Sequence, residues 1–301
     1  MSYPILEGHW RAPKQMLADQ EYGGHTSIHD DETAERLGFQ AGPIEGPTHF
    51  SQFVPLLAEL WGDLWYEQGS LSSHFQNMCV EGDRVKAFAQ LDSEQPNLAK
   101  IWAEKEDGTP VLTGTASVPD PQHQHPESEL DRRRARLTAP GSLIILEALS
   151  VGQLGAAEAP VRMGFDQHMG ALYPFSLKEK LDKITETSPY YEPAEASRSP
   201  WGAAIIPLEM ISVLAEYTSH KANWGVKGPA IGLFADLEIK IVNGPLIVDT
   251  PYAIHREIVA LSESKRTESY WVKTTLSDVD TGDVRAEILL NHATLKDSYH
   301  P

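Results

Sequence analysis

The chain has 301 residues, 41% of them hydrophobic, and a formal net charge of -18. That length and apolar content suffice for a sizeable core in one large domain or two of about 150 residues. The acidic excess argues against nucleic acid and against an anionic membrane surface as partners, since both attract basic proteins. The single cysteine, Cys79, excludes an intramolecular disulfide and a Cys-rich zinc site, and it fits a reducing compartment. No apolar run approaches the roughly 18 to 20 residues needed to span a bilayer, and the start "MSYPILEGHW" lacks the pattern of a signal peptide. These features predict a cytoplasmic protein.

In chain order, the first informative stretch is "GGHTSIHDDETAERLGFQAGPIEGPTHFSQF", residues 23–53, where histidines and acids precede a Gly/Pro-punctuated turn. A helix is predicted over Pro47–Tyr66, because Phe50, Phe53, Val54, Leu57, Leu60, Trp61 and Leu64 recur at three- and four-residue intervals. Pro55 is expected to kink it by removing one backbone hydrogen bond. After Gly69 the pattern alternates, and the pairs Gly82-Asp83 and Asp107-Gly108 mark turns between antiparallel strands.

Residues 120–135, "DPQHQHPESELDRRRA", are polar and charge-dense and read as a connector that does not order readily. Within it, His123 and His125 read as solvated, because no further metal ligand accompanies them. Arg132, Arg133, Arg134 and Arg136 either balance local acid or contact a phosphate. The apolar stretch 139–160 is either the first strand and packing segment of the second half or a covering flap. A second helix is predicted over Pro207–Ala222, with Leu208, Ile211, Leu214 and Ala215 on one face, followed by strands in 232–242, 251–264, 269–278 and 284–296.

The order helix then sheet thus occurs twice. Aligning the two patterns puts Pro47 on Pro207 and Gly108 on Gly282, with insertions in the second sheet. The expected fold class is α+β, with each helix wrapped by an antiparallel sheet and the two units fused into one continuous sheet. The boundaries are 1–119 for the first unit, 120–138 for the charged linker and 139–301 for the second.

His29-Asp30-Asp31, Gly38-Phe39, "GPIEG" and the later "VEGDRV" resemble the MaoC-like, R-specific enoyl-CoA hydratase group of the hotdog fold. Residues 173–207 are similar to the opening of the N-terminal repeat in double-hotdog dehydratases. The resemblance covers about two thirds of the chain. It implies a double hotdog that adds water to, or removes it from, an enoyl or 3-hydroxyacyl thioester or a related α,β-unsaturated acyl compound, with no cofactor and no metal. Two units in one chain already satisfy the usual hotdog pairing, which leaves a monomer open, while the resemblance also allows a homodimer.

In the family motif an Asp and a His five residues apart activate water. The His maps onto His29 and the acidic residue two further on falls on Asp31, but Gly24 stands where the Asp belongs. In the second half the His position falls on Tyr190 or Tyr191 and the Asp position on Thr185 or Glu186, so neither half carries the complete pair. His29 can act as base or acid, since an imidazole titrates near neutrality. Candidates to replace the carboxylate are Asp30, Asp31, Glu45 and His25, each with an ordinary alternative as helix cap, dipole partner or surface residue. Amides at the helix start near Gly46 are expected to hold developing negative charge. His49 aligns with Glu209 on the second helix. A helix carboxylate there raises thioester hydrolysis as an alternative reaction, against the reading that both fill polar niches. A catalytically silent acyl-binding protein is the third possibility.

Overall fold

A computed structural model describes residues 3–21, 27–184 and 186–299. A short strand β1 (Leu6–Glu7) leads to a helix α1 (Asp31–Arg36) that the residue pattern did not signal. Asp30 caps it, accepting from the Thr33 N–H at 2.8 Å and the Thr33 hydroxyl at 2.7 Å. The predicted central helix is divided. Residues Gly46–Phe53 form a 3-10 segment, α2 spans Val54–Trp61 and α3 spans Asp63–Gln68, with Gly62 at φ 57° between the last two. Pro55 therefore does not kink a continuous helix. It lies in the first turn of α2, where its missing N–H breaks no helical bond.

Strands β2 (Ser70–Phe75), β3 (Val85–Leu91), β4 (Leu98–Lys105) and β5 (Pro110–Ser117) complete the first half. The second half contributes helices α5 (Leu177–Leu181) and α6 (Leu208–Glu216), then strands β6 (Gly232–Ile241), β7 (Tyr252–Glu263), β8 (Thr267–Asp278) and β9 (Val284–Leu295). One nine-stranded antiparallel sheet results, in the order β1-β3-β4-β5-β2-β6-β9-β8-β7. The halves join where β2 pairs with β6, from Ser70↔Lys240 to His74↔Asp236. The expected double hotdog is present. The insertions in the second sheet are also visible: β7, β8 and β9 have 12 residues each, against 7 or 8 in β3, β4 and β5. The aligned turn glycines Gly108 and Gly282 share left-handed φ values of 82° and 78°.

The 3-10 segment and α6 pack against one another, and the main core forms around them from Phe50, Phe53, Leu57, Met210, Ile211 and Leu214 together with Leu71, Ile101, Leu237 and Ile239 of the sheet. Every residue of α6 is buried, which explains why its predicted apolar face continues around the helix. The stretch 139–160 forms no strand. Ile145, Leu146 and Leu149 pack on Ile258 and Tyr270, and the chain then runs along β7, where Gly152 N and Gly155 N donate to Ile258 O and Arg256 O. Among the described residues, no helix is long and apolar enough to cross a membrane.

The connector differs from the sequence reading. Residues Glu129–Ala135 form helix α4, closed by a reciprocal capping box between Ser128 and Asp131. Leu130 is fully buried beside Trp271 and Leu289, and its N–H donates to Ser72 Oγ at 3.0 Å. His125 is held by Ser117 Oγ at 3.0 Å. Charge density hid this because one buried leucine and a cap anchor the segment, and one of its arginines, Arg133, meets the buried Asp236. Leu130→Ala should therefore cost about 2 to 5 kcal/mol in denaturant unfolding, whereas a free connector would give a change near zero.

Candidate functional site

A cleft of about 790 Å³ opens where the central ladder stops. Beyond His74↔Asp236 the strands β2 and β6 no longer pair, and residues 75–79 and 232–236 line the opening. On the helix side the lining contains His29, Glu45, Gly46 and His49; on the other side it contains Arg133 and Arg136 of the connector.

His29 sits just ahead of α1 in a loop tied to the second half. Its N–H donates to Ser27 Oγ, Ser27 donates to Gln20 Oε1 at 2.7 Å, and Gln20 Nε2 donates to Leu172 O at 2.9 Å. Its Nδ1 lies 2.6 Å from Pro43 O. A carbonyl only accepts, so Nδ1 carries the hydrogen and the neutral ring presents Nε2 as its base. Burial pushes the His29 pKa down from 6.5, against the opposing hydrogen bond to Pro43 and the charge of Glu45. Gly42 is required beneath this ring, because a Cβ there would collide with the backbone of His29.

Asp31 does not line the cleft. Its Oδ1 accepts from Gly42 N at 2.8 Å, which folds the loop back onto His29. Asp30 serves as the α1 cap. His25 and Gly24 lie outside the described residues, as does Thr185. Glu45 is buried, and its Oε2 lies 3.4 Å from the buried Nζ of Lys180, which also donates to Thr48 Oγ1 at 2.8 Å. Lys180 comes from α5, so this ion pair crosses between the halves. His49 is buried on the 3-10 segment, where burial, then the charge of Lys180, lowers its pKa to about 4 and keeps it neutral. The helix start offers fewer donors than its position suggested. Pro47 has no N–H, and Thr48 N is spent on Glu45 O at 3.1 Å. Gly46 itself packs against the ring of Phe75, where a Cβ would come within 2.8 Å.

Glu209 and Tyr190 are not brought to the cleft. Tyr190 packs edge-on against Tyr66 and Trp201, with ring centres 5.6 Å away in each case. Glu186 pairs with Arg11 at 2.7 Å. Glu209 is 1% exposed, and neither carboxylate oxygen meets a hydrogen-bond partner among the described residues. Burial pushes its pKa up to about 7, with Lys180 opposing. A hydrolytic nucleophile there would have no access to substrate, so the structure gives the thioesterase alternative no support.

Sequence reasoning missed a second histidine. His74 Nδ1 lies 2.8 Å from Oδ1 of the buried Asp236, whose Oδ2 accepts from Asn291 Nδ2 at 2.7 Å, and His74 and Asp236 both line the cleft. Arg133 Nε also lies 2.8 Å from Asp236 Oδ1. The available signal was a polar residue in each of two predicted strands, and pairing them requires the register. Cys79 lines the cleft too, but burial pushes its thiol up to about 12, so it is not a nucleophile at neutral pH.

Comparison with solved structures gives the fold an external anchor. A Chloroflexus aurantiacus protein described as a MaoC domain dehydratase matches with a TM-score of 0.64 at 14% identity, over 98% of this chain and 95% of its own. A conserved Mycobacterium tuberculosis protein with a double hotdog fold matches with a TM-score of 0.59 at 9% identity, over 98% and 97%. The chain has the double-hotdog fold. A MaoC-like dehydratase also matches, with a TM-score of 0.50 at 14% identity, over 96% and 97%. No protein-family model and no curated protein matches the sequence.

Glu209 yields a pH test. With its carboxyl at about 7 in the folded chain and 4.5 ordinarily, the folded state holds a proton that the unfolded state has released between those values. The associated stability is complete below the ordinary value and is lost as pH rises through 7. Glu209→Gln should gain on the order of 2 to 3 kcal/mol relative to the parent between pH 4.5 and pH 8. Part of the parent's slope should remain, because Glu216 is also pushed up to about 7 by burial. Denaturant unfolding across this range provides the check.

Proposed function

We propose that the protein is a hydro-lyase that adds water to an enoyl thioester or removes it from a 3-hydroxyacyl thioester. The observation carrying this reading is His29, held by Pro43 with Nε2 as its unprotonated nitrogen, in a cleft that also contains the helix start at Gly46. Nε2 takes a proton from water as the oxygen bonds to the β carbon. The electron pair moves through the conjugated system onto the thioester oxygen, and the Gly46 amide and the positive helix end oppose that charge. The imidazolium then returns its proton to the α carbon, so the net change is addition of one water. Dehydration runs the same path backwards, and one imidazole suffices because it acts as base and then as acid.

Arg133 and Arg136 at the far side of the cleft support a phosphate-bearing carrier for the acyl group, since guanidinium forks match phosphate. The MaoC-like dehydratases of the same fold agree with this chemistry but do not fix it, because one fold hosts several reactions.

Crotonyl-CoA and longer enoyl-CoAs, followed by loss of the conjugated thioester absorbance, provide the assay. The rate should fall about 100-fold or more in His29→Ala. In the parent, kcat/KM should decline with falling pH through a midpoint below 6.5, because burial lowers the His29 pKa and only the neutral ring is a base. A His29→Ala protein as active as its parent would end this assignment.

A further inference from the structure

Glu45 occupies the capping position of the 3-10 segment, yet its side chain makes no capping hydrogen bond. Helix capping therefore does not account for a carboxylate that is 6% exposed. One oxygen faces Lys180 at 3.4 Å, and the other, Oε1, is buried with no partner among the described residues. Lys180 is 1% exposed and lies over the ring of Phe175 at 5.4 Å. A buried ion pair with an unsatisfied oxygen is a poor stabilising device, because desolvation offsets most of the attraction. Its location is informative, since Glu45 and His29 line the same cleft.

Resting on the hydro-lyase reading, we propose that Glu45, held by Lys180 of the second half, is the positioning carboxylate of the site: it stabilises the imidazolium that forms on His29 when water is deprotonated. Glu45 exchanges no proton with the substrate. The proton moves from water to Nε2 and on to the α carbon, while the nearby negative charge lowers the energy of the intermediate in which Nε2 holds it. Lys180 opposes that effect and so limits it. Both charges bear on His29: Glu45 favours its charged form and Lys180 disfavours it. His49, which lines the same cleft, stays uncharged.

The pairing predicts opposite responses from its two members, which loss of structure would not produce. The experiment measures kcat and KM for crotonyl-CoA hydration against pH in the full chain, its Glu45→Gln, Glu45→Asp and Lys180→Met variants. In Glu45→Gln the acid limb should move to lower pH and kcat should fall on the order of tenfold or more, with KM little changed. Glu45→Asp should move both back toward the parent. In Lys180→Met the limb should move to higher pH. An unmoved limb in Glu45→Gln, or a shift of both variants in one direction, overturns the proposal. If Glu45→Gln does not fold, Lys180→Met decides, and an unmoved limb there overturns it equally. If the parent hydrates no enoyl thioester, the hydro-lyase reading fails, and the pairing is then read from the His29 ring resonances. Their titration midpoint should move down in Glu45→Gln and up in Lys180→Met, and parental midpoints in both would reject it.

Discussion

The short antiparallel ladder between β2 and β6 is the constraint from which the rest follows. It runs from Ser70↔Lys240 to His74↔Asp236 and, among the described residues, is the ladder that joins the two halves of the sheet. By fixing the halves in one sheet it forces the two central helices together beneath it, where the 3-10 segment and α6 share the core. Where the ladder ends it also creates the cleft, because residues 75–79 and 232–235 no longer pair with one another and the sheet opens between them. A longer ladder would close that gap. The sheet's outer edges are treated differently: the chain around 152–161 runs along β7, and β1 pairs with β3. Long unpaired edges invite association, and both are covered here.

The duplicated halves have diverged in a physically readable way. On the first helix the position two residues after the proline is His49, which lines the cleft; on the second it is Glu209, enclosed in the core. The space that would correspond to a second site is occupied by aromatic packing of Tyr66, Tyr190 and Trp201, with Tyr191 buried behind them. Burying several large rings contributes more to stability than a second polar cavity would. The first half places His29, Glu45, His49 and His74 beside open space, and the second supplies Asp236 to the same cleft, the anchors of the His29 loop and Lys180.

What the sequence disclosed was what local periodicity encodes. The two helices, the strand pairs and the turns at Gly108 and Gly282 all lie within reach of a three-residue, two-residue or glycine signal. His29 was legible from its motif position and Glu45 from the turn ahead of the predicted helix. The Lys180 contact was not, since 135 residues separate it from Glu45 and its charge suggests a solvated helix face. His74 with Asp236 required the register of a ladder between strands 162 residues apart. The connector misled because composition measures average polarity, whereas α4 depends on one leucine and one cap. Asp31 matched a motif position, but its carboxylate is used on the Gly42 amide, a contact set by the turn and not by spacing.

A cost remains to be explained in the buried pair of Lys180 and Glu45. Desolvating two charges is expensive, and an apolar pair of similar volume would hold the helices together at least as well. Among the described residues, Lys180 meets Thr48 and Glu45 at hydrogen-bonding distance, both at the amino end of the first helix. Cations belong at the opposite end of a helix dipole, so this lysine opposes the local field. Glu45 offsets that charge, and the two ions act on His29 in opposite senses. On the proposed mechanism the imidazole is neutral at rest and a carboxylate of the same cleft is available when it becomes charged. Two opposed ions can hold a base in that intermediate state, and two hydrocarbons cannot.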